Sequence, residues 1–248
     1  MSSQKDKANI IEKRFKHYLF DFFMLFLAVT LGFFVENLRE QLVENSRSKD
    51  YITSVSEDLK QDIILIDSLI AKRELKNQML DSLLYFLNSA NPNEHGNDIY
   101  YFTRWAPRTY RFYPNDRTIQ QLNSGNWRLI RNRKVSDALL SYNGTVRSII
   151  NYVQQREEAL TLTLYNSINK LFDNRVFESM LDGLSFIRPI GNPPLLSTNR
   201  LQLNEFCNQI HFVKNSNYFF ISTAKSLRNS ADKTLAILNN EYKLEHTD

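Results

Sequence analysis

Apolar side chains recur every three or four residues along most of this chain, the spacing of one face of an α-helix. Ile52, Val55, Leu59, Ile63, Ile66 and Ile70 form one such run, and Leu75, Met79, Leu83 and Phe86 form another. No Pro or Gly interrupts residues 33–90, and Asn91–Pro92–Asn93 marks the end. The phase slips between Ile70 and Leu75, which reads as a stutter that loosens a supercoil locally. A second helix follows from Val135, Leu139, Tyr142, Val146, Ile149 and Val153, continued by Leu160, Leu164, Ile168 and Leu171. Asn143–Gly144 costs that helix some stability without breaking its pattern. A third starts near Ser197–Asn199 and runs to about Leu244. Its seam is Leu203, Phe206, Ile210, Val213, Phe220, Ala224, Leu227, Ala231, Leu235, Leu238 and Tyr242. Asn217 occupies a seam position, where one polar residue can fix register.

Between these runs the chain is irregular. Residues 91–115 carry no helical period. Asp116 is placed to cap a short helix over residues 117–122, which Gly125 ends. Residues 173–198 read as a loop with one helical turn, closed by the Pro-rich "RPIGNPP". The fold class expected is all-α: one N-terminal transmembrane helix continuing into an elongated antiparallel bundle of three long helices plus a short one. The first long helix would run out, the second back and the third out again. The segment from Tyr100 to Lys134 would then form the far end of the bundle.

Residues 18–35 break the amphipathic pattern. From Phe22 to Val35 every side is apolar apart from Thr30, and the one ionisable residue from Tyr18 on is Asp21. Eighteen helical residues cover ~27 Å, close to the ~30 Å hydrocarbon core of a bilayer. Cleavage at the small-x-small site Thr30–Leu31–Gly32 would leave Phe33, Phe34 and Val35 at a new terminus. An uncleaved signal anchor fits better. Lys5, Lys7, Lys13, Arg14 and Lys16 precede the span, whereas Arg39, Arg47 and Lys49 follow it mixed with acids. The positive-inside rule gives residues 1–17 as a short basic cytoplasmic tail, 18–35 as the anchor and 36–248 as a helical extracytoplasmic domain. The setting expected is a bacterial inner membrane, crossed once, with the C-terminal domain periplasmic.

Asp21 has two readings. It can reach the headgroups, paired with Lys16 or His17. Alternatively Asp21, Leu25, Ala28 and Gly32, at i, i+4, i+7 and i+11, share one face. There the small pair Ala28 and Gly32 admits a second helix, which makes these four a candidate partner face.

Charge and composition narrow the function classes. The net charge is +4, hydrophobic residues make up 42%, and there are only 6 Gly and 6 Pro, all consistent with a folded helical chain. Cys207 is the single cysteine, so no internal disulfide forms, and it reads as a small residue on an apolar face. His17, His95, His211 and His246 show no metal-ligand spacing, and no phosphate loop or nucleophile elbow is present. No catalytic, cofactor-binding or metal residues are assigned, and the chain reads as a non-enzyme. Glu157–Glu158 and Asp58–Asp62 read as solvated helix faces rather than acid/base pairs.

One segment carries candidate binding chemistry. Across residues 100–134, Arg104, Arg108, Arg111, Arg117, Arg128, Arg131, Arg133 and Lys134 stand against Asp116 alone. Tyr100, Tyr101, Phe102, Trp105, Tyr110, Phe112, Tyr113 and Trp127 are interleaved with them. In the cytoplasm this mixture would suit single-stranded nucleic acid. Outside it, nucleic acid is not the expected partner. The candidate patch is Arg104, Trp105, Arg108, Arg111, Trp127, Arg128 and Arg131. The competing reading is a cap whose arginines stack on its own aromatic rings.

The opening carboxylate Asp21, the "NLRE" at Asn37–Glu40 and "TIQQLNSGNWRLIRNRKVSDALLSY" at Thr118–Tyr142 carry a resemblance. Together they resemble an uncharacterised Bacteroidota family of single-span membrane proteins with a helical extracytoplasmic domain. Leu122, Gly125, Asn126 and Ile130 match its Leu-x-x-x-Gly-Asn-x-x-x-Ile element over a likeness covering about two thirds of the chain. Leu38 stands where that family usually has Trp, and the span is richer in Phe. The resemblance implies topology and a helical ectodomain, and no activity. The expected function is a membrane-anchored structural or interaction protein, bound to the bilayer and to a protein partner or a second copy of itself. The alternative is a sensory ligand-binding ectodomain. With about 17 residues before the span, such a sensor would signal through a partner in the membrane.

Overall fold

The computed structural model describes residues 2–183 and 185–244, with side chains from residue 17 onward. The side chains of Lys5, Lys7, Lys13, Arg14 and Lys16, and His246, lie outside the described residues. The chain divides into two units, Met1–Ile52 and Thr53–Asp248. Helix α1, Ser2–Leu87, belongs to both. In the first unit it is the whole described structure, and the side chains of residues 18–35 are exposed on every face. Among the described residues this is the one helix long and apolar enough to cross a membrane.

The second unit is all-α apart from one two-residue hairpin. After α1 come α2 (Gly96–Trp105), α3 (Arg117–Gln121), α4 (Arg133–Ser148), α5 (Gln155–Leu171), α6 (Asn174–Ser179) and α7 (Arg200–Tyr242). A π-helical turn, Ile149–Gln154, joins α4 to α5 without a break, giving the second long helix its predicted extent. Asn132, Asp173 and Asn199 cap α4, α6 and α7 by accepting from backbone N–H groups in the first turn. Strands β1 (Leu181–Asp182) and β2 (Ser185–Phe186) pair antiparallel, with Leu181 opposite Phe186. They are too short to show in a period-two pattern.

The helices do not alternate in direction as expected. Asp62 bonds Tyr142, and Arg73 bonds Glu157, so α1 and the α4–α5 helix run parallel. Arg228 meets Asp67, Lys225 meets Glu74 and Lys214 meets Asp81, so α7 runs antiparallel to both. The return from the end of α1 is made by extended chain. Arg108 lies beside Lys76, Tyr110 beside Arg73, Asn115 beside Asp62 and Thr118 beside Asp58. The lengths agree. From Arg73 back to Asp62 the helix covers ~16 Å at 1.5 Å per residue. From Tyr110 to Asn115 an extended chain covers ~16 Å at 3.3 Å per residue. The segment from Tyr100 to Lys134 therefore runs the length of this unit, and is not confined to one end as predicted.

The apolar core at the Leu87 end joins Leu80, Leu83 and Leu87 to Ile99, Tyr100, Leu164, Leu171, Phe206 and Ile210. Tyr100 stacks edge-on against Phe172 at 5.0 Å, and Phe172 against Phe206 at 5.5 Å. Helix α2 is held there by close approach. A Cβ at Gly96 would stand 2.1 Å from the Pro193 carbonyl oxygen, so only glycine fits.

Candidate functional site

On α1 the four residues of the candidate partner face, Asp21, Leu25, Ala28 and Gly32, are all exposed. The helix is unbroken, so their spacing puts them on one side. Asp21 lies 3.6 Å from His17 Nε2, the local pairing allowed by the first reading of this carboxylate. Thr30 Oγ1 donates to the Phe26 carbonyl at 2.8 Å, so its hydroxyl is satisfied within the helix. Around Gly32 an added Cβ would meet nothing within 4 Å.

The seven residues of the basic aromatic patch do not form one surface. Arg104, Trp105 and Arg108 lie at the end of α2 and the turn after it. Arg111 is on the extended return, paired with Glu158 at 3.5 Å. Trp127, Arg128 and Arg131 lie at the opposite end of the unit. Their segment is tied at one side by Thr118 to Asp58 and at the other by Asn132 to Glu241 at 2.6 Å. Trp127 donates its indole N–H to Asn123 Oδ1 at 3.0 Å.

The first group is ordered by aromatic stacking. The Arg104 guanidinium lies 4.1 Å from the Phe186 ring centre and 5.3 Å from Phe177. Arg108 lies 4.3 Å from Trp105 and 4.7 Å from Phe186. Arg188, which sequence reading passed over, sits 4.3 Å from Tyr101 and pairs with Asp98. Phe186 comes from the hairpin and Phe177 from α6, so the cluster needs the whole loop between α5 and α7 folded against α2. Among the described residues no carboxylate stands within ion-pair range of Arg104 or Arg108. Burial, and then the neighbouring Arg108 guanidinium, hold Arg104 below the usual arginine range.

A second polar group was missed because it lies where the pattern predicts apolar residues. Instead of a stutter, the seam of α1 continues through Arg73, Lys76 and Asn77, all buried, while Leu75 is 52% exposed. Arg73 is 2% exposed. One of its terminal nitrogens donates to Glu157 and to Asn217 Oδ1 at 2.9 Å. The other donates to Glu157 Oε2 at 2.9 Å and to the Tyr110 carbonyl. Its flat face covers Phe220 at 3.5 Å. Asn217 donates to the Arg73 carbonyl and to Asn77 Oδ1, both at 2.8 Å. Lys76 donates to the Arg108 carbonyl at 2.6 Å, and burial draws its ammonium down to about 8.

Of the four carboxylates read as solvated, Glu157 and Asp62 are internal, Asp58 is partly buried, and Glu158 is exposed as read. Glu157 faces Arg73, and Asp62 accepts from Asn115 N at 2.7 Å and from the Tyr142 hydroxyl at 2.6 Å. Burial pushes both the Asp62 carboxyl and the Tyr142 phenol upward. Asp58 accepts from Thr118 N and Oγ1, so the short helix α3 is capped from α1 and not by Asp116, whose side chain makes no capping bond. Gln154 donates to the Phe112 carbonyl at 3.0 Å. Side chains of the long helices thus bind the alternate carbonyls of residues 108, 110 and 112 on an extended segment that has no strand partner. The groups clamp backbone rather than a reacting atom.

Cys207 is half-buried beside the core, and burial raises its thiol. Among the described residues no group of three His, Cys, Asp or Glu side chains could hold a metal ion. The chain matches no family model, no curated protein and no solved structure.

Proposed function

We propose that this chain is a membrane-anchored structural and interaction protein. Residues 18–35 cross a bacterial inner membrane once, residues 1–17 stay in the cytoplasm, and residues 36–248 present a helical domain in the periplasm. The observation that carries this reading is the first unit's apolar helix, exposed on every face. Such a surface in water would be an aggregation hazard, whereas in lipid it is the favoured one. The charge difference across the span and the resemblance to single-span Bacteroidota proteins support the orientation.

The partner is a second span, from another copy or another protein, seated on Asp21, Leu25, Ala28 and Gly32. Small residues let helix backbones approach closely, and a carboxylate near the interface favours a polar contact. Gly32→Ile fills the approach without a clash inside this chain, because the space around Gly32 is open. The expected result is a several-fold loss of crosslinked adduct for Gly32→Ile in intact cells and no loss for Phe23→Ile on the opposite side. Equal yields would remove the partner face. A sensory ectodomain is the second reading, favoured by a cleft beside the Arg104 cluster.

A further inference from the structure

Between α2, α5, α6 and the hairpin lies a cleft of about 180 Å³. Its floor includes Phe177, Phe186 and Ile168, and Arg104, Arg108, Thr103 and Tyr165 also line it. Three observations point to a missing acceptor. First, the two guanidiniums lie 4.1–5.3 Å from ring centres, and among the described residues no carboxylate pairs with either. Glu178 acts on Arg104 only through its charge, without an ion-pair contact among the described residues. Second, Thr103 is 1% exposed and its hydroxyl has no partner. Third, Nε of Arg104 is likewise buried without one. Buried donors are normally satisfied, and like charges are brought together at a cost that a bound anion removes.

We propose that this cleft binds an organic oxyanion, a carboxylate or phosphate carried on a small apolar group. The oxyanion meets Arg104, Arg108 and the Thr103 hydroxyl, and the apolar part lies on Phe177 and Phe186. Arginine suits this role because its planar fork engages two oxygens at once. The site lies wholly in the second unit, so it stands whether or not the membrane reading does. Occupancy without any downstream response would leave it intact and remove the sensory reading.

The chain has two tryptophans, so Trp127→Phe leaves Trp105, stacked on Arg108, as the single indole reporter. Full-length protein with this change, in detergent micelles, is titrated with phenyl phosphate, benzoate and the neutral isostere benzamide. The expected result is a saturable change in Trp105 emission with one or both anions and none with benzamide. The tighter anion identifies phosphate or carboxylate as the natural group. Arg108→Gln should weaken binding at least tenfold, and Thr103→Val a few-fold at unchanged helicity by circular dichroism. Arg104→Gln should match Arg108→Gln; if it unfolds, the Arg108 and Thr103 variants decide. The absence of a saturable response to either anion, an equal response to benzamide, or undiminished binding by Arg108→Gln would overturn the proposal.

Discussion

Arg73 places a full charge in a helical seam, 2% exposed, and its two terminal nitrogens are bonded from three directions while its Nε has no partner among the described residues. A buried ion pair is weak as a stabiliser, because desolvation offsets much of its attraction, but removing one partner typically costs about 3–5 kcal/mol. Its value here is register: Glu157, Asn217 and the Tyr110 carbonyl meet Arg73 only when α1, α5, α7 and the extended return are mutually aligned. Lys76, one turn along, gives a measurable signature. Its folded-state ammonium titrates near 8 against an ordinary value of 10.5. Above pH 8 the unfolded chain binds the extra proton, so stability rises with pH through this window and the penalty for burying the charge is present in full below it. Against Lys76→Met, wild-type stability should gain about 2 kcal/mol between pH 7 and pH 10, measured by urea unfolding. A pH-independent difference would show that Lys76 is not held charged and buried. None of this was legible in the pattern. Counting apolar positions selects Leu75 and leaves a phase slip, although Arg73, Lys76 and Asn77 carry the period forward in polar form. Asn217 was legible, because it interrupts an otherwise apolar run.

Among elements, sequence reading missed helix α2, Gly96–Trp105, in a stretch read as irregular, and misplaced the extended return that follows it. Its period-two character was present in the sequence: Phe112 is buried and Tyr113 is 68% exposed. What concealed it was the lack of a partner strand, since its backbone bonds go to side chains of helices. Asp62 and Asp58 hold its far end with unequal strength. Asp62→Ala leaves Asn115 N and the buried Tyr142 hydroxyl without an acceptor, and should cost about 3 kcal/mol. Asp58→Ala removes an N-cap at a partly exposed site, and should cost about 1 kcal/mol. The denaturant midpoints of the two variants give the comparison. An Asp62→Ala midpoint no lower than that of Asp58→Ala would show that the clamp is not fixed there. The helix start at Asn199 and the stop at Gly125 were readable, because capping chemistry is local. The tertiary cap from Asp58 to Thr118, 60 residues away, was not.

At the scale of the molecule, the all-α class and the three long helices follow from periodicity, whereas their directions do not. A parallel first pair needs a crossover, and no local signal distinguishes an irregular loop from a chain crossing the whole unit. The two halves of the basic aromatic patch were separated for the same reason. For the proposed orientation, alkaline phosphatase fused after residue 248 should be active and a cytoplasm-restricted fluorophore at the same place dark; the reverse pattern would place the helical domain inside the cell. One consequence of the antiparallel α7 remains. From the Arg228–Asp67 pair, thirteen residues along α7 bring Glu241 level with about residue 54 of α1. The two ends of the second unit therefore leave it side by side. Tension applied between them would peel α7 from α1 one contact at a time, opening Arg228–Asp67 first and Lys214–Asp81 last, rather than shearing all rungs at once. Mechanically the domain is a zipper whose slider rests between its own two ends.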